Sequence, residues 1–240
     1  MKILGIIPAR YASSRFPGKP LVDIAGKSMI QRVYEQAKKC SLLSDVIVAT
    51  DDERIFEHVI EFGGVCAMTA DHQSGTDRCA EVAGKHREYD IIINIQGDEP
   101  YIDPEQIAGL INCFITPDVQ IATLIKRIKT AEELHNPSSP KVVVNKLDEA
   151  VYFSRSALPH IRGEEPKNWL GFYPYFKHIG IYGYRADVLQ QITKLPVSAL
   201  EKAEGLEQLR WIENGYRIKV AETELETYAI DTPADLELLR

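Results

Sequence analysis

The residues best suited to chemistry follow the first apolar run of the chain, Ile3 to Ile7. Next comes Ala9-Arg10-Tyr11-Ala12-Ser13-Ser14-Arg15-Phe16-Pro17-Gly18-Lys19, with three cations, two serine hydroxyls and a glycine, and no acid precedes Asp23. Lys19 and the arginines can neutralise a polyphosphate while hydroxyls and backbone amides wrap it. A solvated loop that is merely basic is the plainer reading. The stretch lacks both G-x-x-x-x-G-K-S/T and G-x-G-x-x-G, which speaks against a P-loop NTPase or a dinucleotide oxidoreductase.

Two carboxylates form a second pattern. Asp98 lies in Gln96-Gly97-Asp98-Glu99-Pro100, directly after the apolar run Ile91 to Ile95, and Asp231 lies in Ile230-Asp231-Thr232-Pro233. A carboxylate at the end of an apolar strand can reach a divalent cation held by phosphate oxygens. Taken alone, Asp98 reads equally as a turn acid and Asp231 as the cap of a closing helix. Capping and metal binding are compatible, because a carboxylate has two oxygens. His178 and Tyr182 are four apart in an apolar run, so on a strand they face one side together. By itself His178 reads as a structural histidine, and Glu207-Gln208 as an exposed helix pair.

These residues need a scaffold, and the apolar periodicity supplies one. Strands are expected over Ile3 to Ile7, Val46 to Ala49, Val65 to Met68 and Ile91 to Ile95. Helices are expected over Met29 to Cys40, Glu53 to Phe62 and Thr76 to His86. Strands apolar on both faces and separated by helices imply a parallel sheet covered on both sides. The expected fold is α/β, a three-layer α/β/α sandwich with a Rossmann-like, mostly parallel mixed sheet. Beyond residue 118 the pattern changes. Val119 to Ile128, Lys141 to Asn145, Ala150 to Ser154, His178 to Tyr184 and Arg217 to Ala221 read as strands. Leu206 to Glu213 and Thr232 to Arg240 read as helices, the last capped by Asp231 or Thr232, and Gly163 to Pro174 as a loop. Residues 1–240 are expected to form one domain, with an insertion at about 150–185.

Composition limits the partners. The chain has 240 residues, with 28 Lys+Arg against 35 Asp+Glu, a net charge of -7. That balance argues against nucleic acid and anionic membranes as partners. No run approaches the roughly 18 apolar residues of a membrane span. Cys40, Cys66, Cys79 and Cys113 show no C-x-x-C and no zinc spacing, so reduced thiols and a cytoplasmic location are expected.

The fragments Ile7-Pro8-Ala9-Arg10 through Pro17-Gly18-Lys19-Pro20-Leu21, Ala49-Thr50-Asp51-Asp52, Ser74-Gly75-Thr76-Asp77-Arg78 and Asn94 to Pro100 run in order. Tyr152 to Arg155, Lys177 to Tyr182, Leu206 to Trp211 and Ile230 to Pro233 continue the series. Together they resemble the CMP-sugar-acid synthetases, most closely the CMP-Kdo synthetase (3-deoxy-D-manno-octulosonate cytidylyltransferase) family, over nearly the whole chain. The resemblance implies that CTP and Kdo give CMP-Kdo and pyrophosphate, the step that activates Kdo for lipopolysaccharide synthesis. It also implies Mg²⁺ as cofactor, a nucleotidyltransferase fold and a homodimer. By family pattern Arg10, Ser13, Arg15 and Lys19 hold the CTP phosphates, and Ser74, Gly75, Asp77, Arg78 and Gln96 line the CTP pocket. Asp98 and Asp231 carry the metal, with Lys19 and Arg10 as their catalytic partners. Arg155, His178, Tyr182, Glu207 and Gln208 surround the sugar. An 8-amino analogue of Kdo stays open, because one hydroxyl-to-amine change needs only a local difference in polarity. A glycosyltransferase would need less triphosphate cradle, and a non-catalytic binding module predicts loss of Lys19 or of one carboxylate. The aromatic stretch Trp169 to Phe176 suits a partner surface, or packing on its own domain.

Overall fold

The computed structural model describes residues 1–12, 16–226 and 228–237, without the Glu237 side chain. Chain order is β1 (Ile3–Ala9), β2 (Asp23–Ile24), β3 (Lys27–Ser28), α1 (Met29–Lys38), β4 (Asp45–Thr50), α2 (Glu53–Glu61), β5 (Cys66–Met68), α3 (Gly75–Lys85) and β6 (Ile91–Asn94). It continues with α4 (Pro104–Asn112), β7 (Ile121–Arg127), α5 (Ala131–His135), β8 (Lys141–Val144), β9 (Ala150–Ser154) and β10 (Phe176–Arg185). Last come α6 (Ala186–Ile192), α7 (Ala199–Glu204), α8 (Gln208–Glu213), β11 (Ile218–Glu222) and α9 (Pro233–Glu237).

The main sheet runs β11-β7-β10-β6-β1-β4-β5, with β8 and β9 added beside β10. β1 is parallel to both β4 and β6, whereas β10 is antiparallel to β6 and to β7. Alternate residues of the central strands feed two cores. Ile3, Ile7, Val48 and Ile93 meet α1, α2 and α4 on one face; Leu4, Ile6, Ile47 and Ile92 meet α3, α6 and α8 on the other. This is the sandwich expected from the runs apolar on both faces. Each fully buried aliphatic side chain contributes about 1.5–3 kcal/mol relative to exposure.

Local signals start the helices. Ser28 caps α1 by accepting from the Gln31 amide, Asp52 caps α2 by accepting from the Arg54 amide, and Ser74 caps α3 by accepting from the Asp77 amide. Sequence periodicity left α4 unassigned, although Asp103 caps it and Pro104 occupies its first turn. Residues 150–185 divide in two. Phe176–Arg185 is a central strand, while the chain before it builds a small cluster around Trp169 and Tyr175, which are 6% and 1% exposed. Those rings pack within their own chain, and Phe172 stays exposed. All four cysteines are free thiols; Cys40 and Cys79 are buried, Cys66 and Cys113 partly so. No helix among the described residues is long and apolar enough to cross a membrane.

Candidate active site

Strand order reverses around β1, with β4 on one side and β6 on the other, and in an open α/β sheet the crevice beyond such carboxyl ends takes ligands. A cleft of about 310 Å³ lies there. Ala9 and Arg10 enter it from the end of β1, and Gln96, Gly97 and Asp98 from the turn after β6. A Cβ on Gly97 would lie 2.8 Å from the Pro8 carbonyl oxygen, so only glycine lets the two turns approach this closely. Gly18, in the left-handed region at φ 74°, donates its amide to the Tyr11 carbonyl and turns the chain into Lys19.

Lys19 Nζ lies 2.8 Å from Asp98 Oδ2 and 3.4 Å from Asp231 Oδ1. Two carboxylates separated by more than half the chain thus converge on one ammonium. The Ile230 amide donates to the Asp98 carbonyl, joining their backbones, and the Ile230 side chain is buried against Ile24 and Met29. The carboxylate of Asp235, in the first turn of α9, accepts from the Asp231 and Thr232 amides at 2.9 and 2.7 Å and from the Thr232 hydroxyl at 3.0 Å, which orders the chain entering that helix. Those backbone N–H groups, that of Thr232 foremost, hold the Asp235 carboxyl below its usual range.

The amino end of α3 forms another wall, through Ser74 and Gly75. Amides at the start of an 11-residue helix favour negative charge. Arg78 also lines the cleft, but its guanidinium is buried and tied to Asp51 at 3.1 Å and to the Thr69 hydroxyl. Gln96 donates its side-chain amide to the Gly180 carbonyl at 2.8 Å, linking the β6 turn to β10. Asp77 stands apart: its amide donates to the capping Ser74 hydroxyl, and it is not among the residues that line the cleft. Ser13 and Arg15 lie outside the described residues.

His178 and Tyr182 on β10 and Glu207 and Gln208 at the start of α8 are not among the residues that line the cleft. Against β7, His178 pairs with Ile125 and Tyr182 with Thr123, so four residues of β10 span two of β7. This bulge, through Gly180 and Ile181, keeps both side chains on one face and brings their rings to 5.1 Å. The buried Thr123 hydroxyl lies 2.7 Å from the Ile181 carbonyl, 3.1 Å from that of Ile179 and 2.9 Å from His178 Nε2. It has one proton. Donating it to a carbonyl leaves the oxygen to accept from Nε2–H, which fixes the neutral tautomer of His178. Burial pushes the imidazole down to about 3.

Glu207 is not the exposed helix residue of the plain reading. It accepts from the Thr76 hydroxyl of α3 at 2.6 Å, and burial raises its carboxyl above the usual range. Gln208 is buried beside it. Arg155 lies elsewhere: its guanidinium donates to the carbonyls of Glu204, Gly205 and Pro137 and does not line the cleft. The sequence pattern pointed to no role for Asp51 or Thr123, and to Thr76 only as part of the Ser74–Arg78 stretch. Asp51 follows β4 directly, and Thr123 is a hydroxyl inside the apolar run Ile121 to Ile125; both signals were available in the sequence.

Comparison with known proteins agrees with this geometry. The sequence model of the family described as Cytidylyltransferase matches residues 4–219. The 3-deoxy-manno-octulosonate cytidylyltransferase of Parabacteroides distasonis is 60% identical over 243 residues, spanning 99% of this chain and 96% of that protein. The chain belongs to the 3-deoxy-manno-octulosonate cytidylyltransferase family. A namesake from Fusobacterium nucleatum is 53% identical over 99% of this chain and 95% of its own length. Among solved structures, CMP:2-keto-3-deoxy-manno-octonic acid synthetase complexed with CTP matches with a TM-score of 0.93 and 48% identity, covering 100% of this chain and 97% of that one. The 4-diphosphocytidyl-2C-methyl-D-erythritol synthase of Anaerococcus prevotii shares the fold alone, at TM-score 0.63 and 9% identity, covering 99% and 96%. The family and the Rossmann-like nucleotidyltransferase fold expected from the motifs are both borne out.

Proposed function

We propose that the protein transfers the cytidylyl group of CTP to 3-deoxy-D-manno-octulosonate (Kdo), giving CMP-Kdo and pyrophosphate. The observation that carries this reading is the convergence of Lys19, Asp98 and Asp231 at the strand-order reversal, in a chain 60% identical to a protein named for that activity. The anomeric hydroxyl of the sugar gives up its proton to solvent as its oxygen forms a bond to the α-phosphorus. The bond from that phosphorus to the bridging oxygen breaks, and pyrophosphate departs with the bonding pair.

Residues of the crevice and beside it divide the work. Lys19 and Arg10 offset charge on the triphosphate, with Ser13 and Arg15 of the same loop as further phosphate partners, and the α3 amides at Ser74 and Gly75 add donors. Arg78, held by Asp51, and Gln96, held by Gly180, present fixed polar groups beside the nucleotide. Asp77 acts through the α3 cap. Neutral His178, Tyr182, Glu207 and Gln208 address the sugar hydroxyls. Arg155 acts on the sugar side by fixing the Glu204–Gly205 backbone that leads to Glu207.

Asp98 and Asp231 suit a hard divalent cation, because two carboxylates already meet at one positive charge. No group of three or more His, Cys, Asp or Glu among the described residues could hold a metal, so phosphate oxygens and water would complete the shell. Mg²⁺ bound there would neutralise phosphate oxygens and acidify the sugar hydroxyl. A homodimer is part of the proposal, supported by the family resemblance and by Phe172, 60% exposed; sedimentation at micromolar concentration reads it. A cytoplasmic location fits the free thiols and a substrate activated by CTP.

Pyrophosphate release from CTP tests the reading, with Kdo and its 8-amino form assayed side by side. Release that requires Kdo and Mg²⁺ is expected; none with either sugar contradicts the proposal.

A further inference from the structure

Three lysines stand side by side where β7, β10 and β8 meet. Lys177 of β10 pairs directly with Lys126 of β7 and with Lys141 of β8. Like charges directly opposite on a sheet repel. Lys141 is buried and spends its ammonium on the carbonyls of Asn136 and Ser139. Lys126 and Lys177, each with a side chain 12% exposed, instead share one counter-ion. Glu226 lies 2.9 Å from Lys126 Nζ with one carboxylate oxygen and contacts Lys177 Nζ with the other. Lys177 also pairs with Glu133 of α5 at 2.5 Å.

Glu226 belongs to the segment that leaves β11 and delivers Asp231. This strap is tied at its start by the Thr223 amide to the Ile125 carbonyl, and near its end by the Ile230 amide to the Asp98 carbonyl. Without an acid on the strap, two largely buried ammonium groups would stand adjacent with, among the described residues, only Glu133 paired to them. Their repulsion is relieved when Glu226 docks, and docking fixes the chain five residues before Asp231. Lys177 and His178 are consecutive on β10 and point to opposite faces. The strand that presents the sugar candidate on one face therefore secures the metal carboxylate from the other.

We propose that Glu226, clamped between Lys126 and Lys177, is a positioning residue that sets Asp231 against Asp98. The inference rests on the reading of Asp231 as a metal-holding carboxylate. Glu226 touches no substrate in this account and acts only through the strap.

Glu226→Gln keeps the shape of the side chain and removes its charge. Two measurements follow on the full chain: hydrogen exchange of the Ile230 amide, and titration of Mn²⁺ with CTP present and no sugar. Glu226→Gln is expected to speed Ile230 exchange more than about tenfold and to weaken Mn²⁺ binding by roughly ten- to a hundredfold, the usual cost of losing a partner that orients a metal ligand. CTP binding without metal stays unchanged. Lys129→Met, which breaks the exposed Lys129–Glu224 pair on the same strap, alters neither quantity. If Glu226→Gln fails to fold, Lys177→Met carries the same test, with the same direction expected. Wild-type Ile230 exchange in the variant overturns the latch whatever the metal titration gives. Asp231→Asn separates the two claims: unchanged Mn²⁺ affinity there refutes the metal reading, while fast Ile230 exchange in Glu226→Gln still supports the latch.

Discussion

The nucleotide cleft and the sugar candidates next to it, which are not among its lining residues, are built on different plans. On the nucleotide side, Arg10, Gln96, Asp98, Ser74 and Gly75 each lie within a few residues of a strand or helix end. Parallel strands and a capped helix are enough to place them. On the sugar side, His178 and Tyr182 share a face through a bulge stabilised by Thr123, Glu207 is held by Thr76 from another helix, and Asp231 arrives on a strap tied at several points. The first side, which lines the cleft, is local, and the second is assembled over long sequence distances. Substitutions on the first should act on the chemistry, and those on the second on where sugar and metal sit.

The largest effect is expected from the carboxylates where the two sides meet. Asp98→Asn and Asp231→Asn should each lower kcat by roughly 10²–10³-fold or more in a pyrophosphate-release assay at saturating CTP and Kdo. Near-normal turnover in either variant removes that residue from the metal site. Gly97→Ala comes next. Its methyl would press on the Pro8 carbonyl at 2.8 Å, and the resulting shift of the Asp98 turn should cost kcat/KM roughly 10²-fold.

A smaller effect isolates the second side. Thr123→Val leaves the Ile181 carbonyl and His178 Nε2–H without their shared partner, which should lower stability by about 1–3 kcal/mol in urea melts. The variant should raise KM for Kdo several-fold more than KM for CTP. Equal changes in both would mean that the two sides are not separable.

The smallest effect is a pH slope. His178 titrates at about 3 in the fold, against 6.5 unperturbed. Below 6.5 the unfolded chain takes up a proton that the native state refuses, so this residue's stability contribution is present above 6.5 and lost as pH falls towards 3. Across that window the slope is at most about 1.4 kcal/mol per pH unit, and His178→Asn should flatten it in melts taken between pH 4 and 7.

The contrast also explains what the sequence disclosed. Doubly apolar runs and the caps Ser28, Asp52 and Ser74 are local signals, so the sheet and three of its helices were legible, as were the cationic loop and Asp98. The role of Asp231 was ambiguous because a Thr-Pro start invites a cap. Only the fold shows its carboxylate meeting Lys19, with Asp235 ordering the backbone that enters the helix. Glu207 looked like a surface residue because α8 has one turn of pattern around it, and its burial comes from α3, more than a hundred residues earlier. Arg155 matched a motif, yet its guanidinium donates to three backbone carbonyls that sequence spacing cannot reveal.

Phosphorus NMR of the products tests the central claim most directly. CTP, Kdo and Mg²⁺ incubated with the enzyme should give equal amounts of pyrophosphate and a phosphodiester-linked CMP-sugar, neither forming without Kdo. Orthophosphate with CDP, or pyrophosphate and free CMP in the absence of sugar, would contradict the account.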